Sequence, residues 1–519
     1  MNRSVFAPHG MVTSIDHLAS TAGVAILQDG GTAVDAAIAT NAVLAVTAQD
    51  QCGLGGDLFA IVHDTPGAPA VLNASGRSGS LANADQLRSQ GHTLVPHRGN
   101  GAAVTVPGCV DGWMTMHEKY GRLDLRHVLG PAILYAENGF PASAGLVEAA
   151  RSIANLNRHD FRGLTPGMRV VRPGIARSLR SIASGGRDDF YGGEFGAGLL
   201  EACSGQLTEA DLADTNATWV SPLGLRLFGH DVWTAPPNSQ GYLALAGTAI
   251  AERFGLPGDP NDPLWAHVMI EAARAAAHDR PQVLHEHAVG EDLLSADRLD
   301  QLSSRIEADH AISWRESWRD GGTIHLNVVD RDGMGVSLIQ SNARGFGSHL
   351  RSGETGIFLQ NRGIGFSLEA GHPAEFGPRL RPPHTLSPLI ITGDDGLLRT
   401  VLGTMGGDAQ PHILQQLLVR LLHHGQNPHE VVDAGRFVLM PTDPSSMFEV
   451  WEERGDVAVA IEPSRTASWS NGLEVRGHNV QTLSSDEAYG HAHCIDVTDD
   501  GMLMAASEPR VPASRAAGY

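Results

Sequence analysis

Cysteine is scarce in this chain: there are four in 519 residues, and Cys52, Cys109, Cys203 and Cys494 stand far apart. No Cys-x-x-Cys pair occurs, which excludes zinc-ribbon spacing and a dense disulfide framework and fits reduced, structural thiols. Long apolar runs are missing too. No stretch approaches the ~20 apolar residues that span a bilayer, and Met1–Gly10 has no apolar core of the kind that marks a signal peptide. No membrane association is expected, and a cytoplasmic location is. Positive charge is the third shortage. Lys and Arg total 37 against 58 Asp and Glu, a formal charge of −21, which opposes phosphate backbones and makes nucleic acid an unexpected partner. Repeats and linker tracts of Gly/Ser or charge are absent as well, so the Pro/Gly-rich stretches 234–241 and 371–388 read as long surface loops. What remains is 42% apolar and 18% charged, the composition of a globular protein of one or two domains.

The run from Gly30 to Ala48 is small and apolar, with Thr32 and Asp35 spaced as a capping pair, and predicts a buried helix. It leads through Gly53-Leu54-Gly55-Gly56-Asp57 into the strand-like Leu58–His63. That helix–turn–strand order is the reverse of a nucleotide-binding unit. Further helices are predicted at Leu125–Asn138, Tyr242–Phe254 and Leu264–His278. Strands are predicted at Ile324–Val329, Gly335–Ser341, Leu389–Thr392 and Thr400–Leu402, so the second half is richer in strands.

One hairpin carries chemistry. Gly321-Gly322-Thr323 reads as a flexible approach to a strand, Asp332-Gly333 as a turn, and Val336–Ser341 as the return strand. A turn centred on Asp332 sets Thr323 opposite Ser341, where cross-strand side chains lie roughly 5 Å apart; a one-residue change of register substitutes Gln340. A threonine hydroxyl needs a base, and cleaving the chain before it makes its own α-amine that base. An α-amine of pKa about 8 suits the task near neutral pH. Gly322 leaves room for the backbone contortion of an N→O acyl shift.

The order of several segments then identifies a relationship. Gly10–Ser14 followed by His17–Ser20, Gly30–Ala37, Gly53–Asp57 and Val106-Pro107-Gly108 precede the hairpin. Gly322–His325, Phe346-Gly347, Thr355-Gly356-Ile357, Arg381-Pro382, Ser387-Pro388, Met405-Gly406-Gly407 and Ala517-Gly518-Tyr519 follow. Together they resemble the γ-glutamyltransferase family of N-terminal nucleophile hydrolases over nearly the whole chain. The resemblance implies an α+β fold, a four-layer αββα sandwich, and autocleavage between Gly322 and Thr323. Fragments 1–322 and 323–519 would then stay associated as one αββα domain, with further homo-oligomerisation left open. It also implies Thr323 as nucleophile, Ser341 as its hydrogen-bonded hydroxyl partner, and Gly406 and Gly407 as the pair whose N–H groups form the oxyanion hole. Arg77 falls at the arginine that grips the substrate's α-carboxylate. No metal and no cofactor are required by such chemistry.

The chain departs from that family at the remaining substrate contacts. The paired serines after Arg-Pro-x are His384 and Thr385 here. The stretch that carries a carboxylate for the substrate ammonium reads Gln360-Asn361-Arg362-Gly363-Ile364-Gly365, with Arg362 and no acid, and Ala343 stands where an amide side chain is common. An ammonium desolvated beside Arg362 without a carboxylate partner would lose a charge-assisted interaction. The resemblance is therefore to a divergent branch that includes oxamate amidohydrolase and acylase-like members. The expected substrate is a small amide whose acyl group bears a carboxylate. Two rivals are a glutathione hydrolase or γ-glutamyltransferase proper, and an uncleaved, non-catalytic metabolite binder, for which the replacement of a second family threonine by Ile324 leaves room. His491 and His493, His285 and His287, and the thiols of Cys52 and Cys109 read as structural rather than metal-binding or catalytic.

Overall fold

The computed structural model describes residues 4–153, 161–312, 322–441, 457–483 and 485–519; Gly321, the first residue of the approach to the hairpin, lies outside them. The strand Gly322–Val329 shows how side-chain alternation builds the layers. Ile324, Leu326 and Val328 join a core shared with the N-terminal helices. On the opposite face Val329 joins a second core built from both sheets, and Asn327 Nδ2 donates to His493 O of the facing sheet (3.1 Å). A period of two thus makes each strand a floor for helices on one side and for a sheet on the other.

Two antiparallel seven-stranded sheets result. The first runs Arg515–Gly518, Met11–Ser14, Gly322–Val329, Gly335–Ala343, Asp57–His63, Ala70–Ala74, Thr218–Val220. The second runs Val5–Ala7, Leu503–Ser507, His491–Val497, Leu398–Met405, Leu389–Thr392, His230–Thr234, Leu223–Leu227. Helices His17–Gln28, Ala33–Thr47, Cys109–Tyr120 and Leu125–Asn138 cover the first sheet, and Tyr242–Phe254, Pro263–Ala277 and Gln410–Leu422 cover the second. This is the expected helix–sheet–sheet–helix sandwich. Helix Ala33–Thr47 is buried along its whole length behind the capping box of Thr32 and Asp35, as its composition predicts.

The four cysteines are buried thiols; burial pushes Cys52, Cys109 and Cys494 up and Cys203 to about 12, so none is poised as a thiolate. His491 and His493 share the inward face, and burial lowers them to about 4 and about 3, which keeps both neutral. Among the described residues no helix is long and apolar enough to cross a membrane.

Behind the start of strand His491–Val497 lies a buried ionic lattice. Glu508 accepts from Arg436 Nη1 (2.9 Å), Arg510 Nη1 (2.8 Å) and the N–H of Ala492 (2.7 Å), and Arg510 continues to Glu462 (2.5 Å). Burial pushes the Glu508 carboxyl up, but Arg436 and Arg510 outweigh it and hold it down at about 2. Glu508→Gln, which leaves two guanidiniums under-compensated, is expected to cost about 3–5 kcal/mol. A depressed carboxyl stabilises above its unfolded value of about 4.3 and loses that contribution as pH falls. Denaturant melts of wild type and variant should therefore differ fully above about pH 5, with the gap shrinking below about pH 4 and closing only near pH 2.

Candidate active site

Thr323 is reached through a break in the ladder. From Ile324↔Gln340 to Val329↔Gly335 the hairpin is regular and centred on Asp332, but a register shift between Gly322 and Ile324 places Gly322 against Ala343. Thr323 therefore sits at a β-bulge, where pairing is locally interrupted. Its Oγ1 donates to Ser341 Oγ (3.2 Å), and Ser341 Oγ also accepts from the N–H of Ala343 (2.7 Å). Ala343 holds φ +71°, a left-handed conformation that costs an alanine roughly 1–2 kcal/mol, and the Ser341 bond offsets part of that. The alternative partner, Gln340, turns instead to the glycine loop, exchanging bonds with Gly53 O (2.8 Å) and Gly53 N (3.0 Å). Ser341 is the hydroxyl partner.

Across the ladder from Ser341 stands Asp57, fully buried. Its Oδ2 accepts from Arg362 Nε (3.0 Å) and His384 Nε2 (2.6 Å). Burial raises its carboxyl, but Arg362 and His384 together hold it below the ordinary value. His384 Nδ1 accepts from the N–H of Leu386 (3.2 Å), which assigns the proton to Nε2. Burial and the nearby Arg362 lower His384 to about 4, so the ring is neutral. Both its nitrogens are therefore engaged within the protein, and it has no N–H left for a substrate; its place is to hold Asp57. Arg362 Nη1 donates to Thr385 Oγ1 (3.1 Å), while its Nη2 and Asp57 Oδ1 are buried without a partner among the described residues.

The Gly406–Gly407 turn joins the same network through Gln240. Gln240 Nε2 donates to Gly407 O (3.0 Å) and Thr385 O (3.3 Å). Arg280 Nη1 donates to Gln240 Oε1 (2.7 Å), and its two terminal nitrogens meet Asp408 Oδ1 (3.0 Å) and Oδ2 (3.1 Å). Gly406 takes φ +148° and Gly407 φ +56°, conformations that disfavour any Cβ. The turn is thus pinned at its carbonyl and at the following acid, so its backbone is pre-set before any ligand arrives.

Arg77 is drawn into a pair that its sequence neighbours do not reveal. Its Nη1 meets Glu286 Oε1 (2.5 Å) and donates to Arg379 O (2.9 Å). Glu286 Oε2 accepts the N–H of Arg381 (2.9 Å). Burial and the nearby Arg77 lower the Arg381 guanidinium to about 10. Asn238 Nδ2 donates to Pro382 O (2.7 Å) and Ser75 Oγ (3.2 Å), tying the Arg77 and Arg381 segments together. The guanidiniums of Arg77 and Arg362 meet the carboxylates of Glu286 and Asp57, while Arg381, near enough for the charges of Arg77 and Glu286 to act on it, donates to Asn216 O and Thr218 Oγ1, so among these described groups guanidiniums outnumber carboxylates by one. A bulged threonine beside a hydroxyl partner, a pre-set Gly-Gly turn and an anion-compatible rim stand on one hydrogen-bonded frame.

Residues 19–518 match the family described as Gamma-glutamyltranspeptidase. The chain belongs to that family. The glutathione hydrolase-like YwrD proenzyme of Bacillus subtilis is 35% identical over 98% of both chains. The oxamate amidohydrolase proenzyme of Klebsiella pneumoniae is 33% identical over 100% of both. The crystal structure of a cephalosporin acylase from Bacillus halodurans superposes with a TM-score of 0.90 at 31% identity, over 100% of this chain and 97% of that one. This γ-glutamyltranspeptidase family member is accordingly an amidohydrolase of the N-terminal nucleophile class with that fold.

Sequence reading missed Glu286, Gln240, Arg280 and Asp408, and gave Asp57 no role beyond its glycine loop. Glu286 lay between His285 and His287, a spacing that pointed only to ordinary histidines. Arg280→Ala, which strands the buried Asp408 carboxylate, is expected to lower stability by about 3–5 kcal/mol in denaturant melts and to reduce turnover by loosening the Gly-Gly turn.

Proposed function

We propose that this protein is an autoprocessing threonine amidohydrolase that hydrolyses a small amide whose acyl group carries a carboxylate, oxamate-like or glutaryl-like. The observation that carries the reading is the hydrogen bond from Thr323 Oγ1 to Ser341 Oγ at the bulge. In the uncut chain Thr323 Oγ attacks the Gly322 carbonyl and the Gly322–Thr323 amide is replaced by an ester, which frees the α-amine of Thr323; water then hydrolyses that ester to release the Thr323 hydroxyl and the Gly322 carboxylate. In turnover the amine takes the Oγ proton as Oγ attacks the substrate carbonyl. It then returns the proton to the leaving amine, and water releases the acyl group from Oγ. Gly406 and Gly407 offer N–H groups to the oxyanion. Fragments 1–322 and 323–519 would remain one body. Strand Gly322–Val329 is paired with Met11–Ser14, and Gly335–Ala343 with Asp57–His63, so a cut at 322–323 leaves both ladders bridging the halves.

The single excess positive charge supports an anionic acyl group. Both acids of the rim already face guanidiniums, so an ammonium entering there would displace a paired cation. Arg362, buried with Nη2 unpartnered among the described residues, Arg77 and the hydroxyl of Thr385 are the proposed substrate contacts. The name of the YwrD relative favours a second reading, a glutathione hydrolase; substrate preference separates the two.

Intact mass under denaturing conditions should show two fragments meeting at Gly322–Thr323 for wild type and one uncut chain for Thr323→Ala. Mature enzyme should turn over a glutaryl anilide faster than the γ-glutamyl anilide, and the reverse order, with glutathione hydrolysed, would establish the second reading. Ser341→Ala removes the hydrogen bond to Thr323 Oγ1, of about 1 kcal/mol, along with the one from the Ala343 N–H, and should slow both maturation and turnover by at least about five- to tenfold.

A further inference from the structure

Glu286 uses its two oxygens as a bound carboxylate would. One meets the guanidinium of Arg77 and the other accepts the backbone N–H of Arg381. From this geometry we infer that Glu286 is a built-in competitor for the substrate's carboxylate, occupying Arg77 in the empty site and withdrawing when an anionic acyl group arrives. The inference rests on the reading of Arg77 as a carboxylate receptor.

Four observations support displacement over a fixed strut. The Arg77 and Glu286 side chains are 37% and 16% exposed, against 3% and 0% for Arg362 and Asp57. Solvent therefore screens the first pair and leaves it weak, while the second is locked. Arg77 Nη1 also donates to Arg379 O, so the guanidinium stays aimed when Glu286 leaves. Glu286 sits on a connection between the short helices Arg280–Val283 and Gly290–Leu293. Leu284 and Gly290 are buried at its two ends and His287 is exposed between them, which permits a swing of the middle without unseating the ends. Finally, Arg381 lies close enough to Arg77 and Glu286 for their charges to act on its guanidinium. Two cations with no anion between them repel in an empty site, which gives the resident carboxylate a reason to be there, and a substrate carboxylate takes over the same compensation.

The test is calorimetric titration of mature enzyme with glutarate, a dicarboxylate with no scissile amide, on wild type, Glu286→Gln and Arg77→Gln. Competition predicts that Glu286→Gln binds glutarate about two- to fivefold more tightly, the equilibrium equivalent of a screened ion pair. Arg77→Gln should lose binding. With the glutaryl anilide, Glu286→Gln should lower KM by a similar factor with kcat unchanged, and KM for the uncharged butyryl anilide should not move. Unchanged or weaker glutarate binding by Glu286→Gln, or equal shifts for both anilides, would overturn the inference in favour of a strut. Glu286→Ser serves if the glutamine variant does not fold. If no amide is cleaved by wild type while glutarate binds in the predicted order, the hydrolase reading falls and the competitor stands.

Discussion

A carboxylate cut off from water has to be compensated, and the site is arranged around the compensation of Asp57. Its charge draws Arg362 and the Nε2 proton of His384 onto one oxygen, and its strand partner is Ser341, the hydroxyl that Thr323 meets. From Arg362 the frame passes to Thr385, from Thr385 through Gln240 to Gly407, and from Gln240 to Arg280 and Asp408. A buried ion pair contributes little net stability over an apolar replacement, but breaking one side of it is costly. Such a frame enforces geometry more than it adds stability.

The same frame joins the two halves of the chain. Asp57 belongs to the part before Gly322, and Arg362, His384 and Ser341 to the part after Thr323. Hydrogen bonds and ion pairs do not depend on chain continuity, so a cut at the bulge would leave the site assembled while freeing an α-amine. The bulge also withdraws Thr323 from regular pairing, which is where a peptide bond can bend toward its own hydroxyl.

Charge then separates two layers of the site. The inner pair, Asp57 and Arg362, is dry and permanent. The outer pair, Arg77 and Glu286, is wetter and exchangeable. With Arg381 behind it, the outer layer favours an incoming anion, in keeping with the loss of an acid from the Gln360–Gly365 stretch. The cephalosporin acylase shares the scaffold, and the glutathione hydrolase-like and oxamate amidohydrolase relatives match over nearly the whole chain.

Local patterning alone determined the buried helix behind Thr32, the hairpin centred on Asp332 and the strand that carries Thr323, because capping, turn chemistry and period-two alternation act over a few residues. Motif order along the chain determined the family and with it the αββα sandwich. Tertiary structure decided what spacing cannot encode. It broke the ladder at Thr323 with a bulge, committed both nitrogens of His384 to the protein, gave Asp57 its two partners, and set Glu286 on Arg77 across 209 positions of sequence. Charges find one another through space, and a linear sequence records which charges exist but not which of them the fold brings within 3 Å.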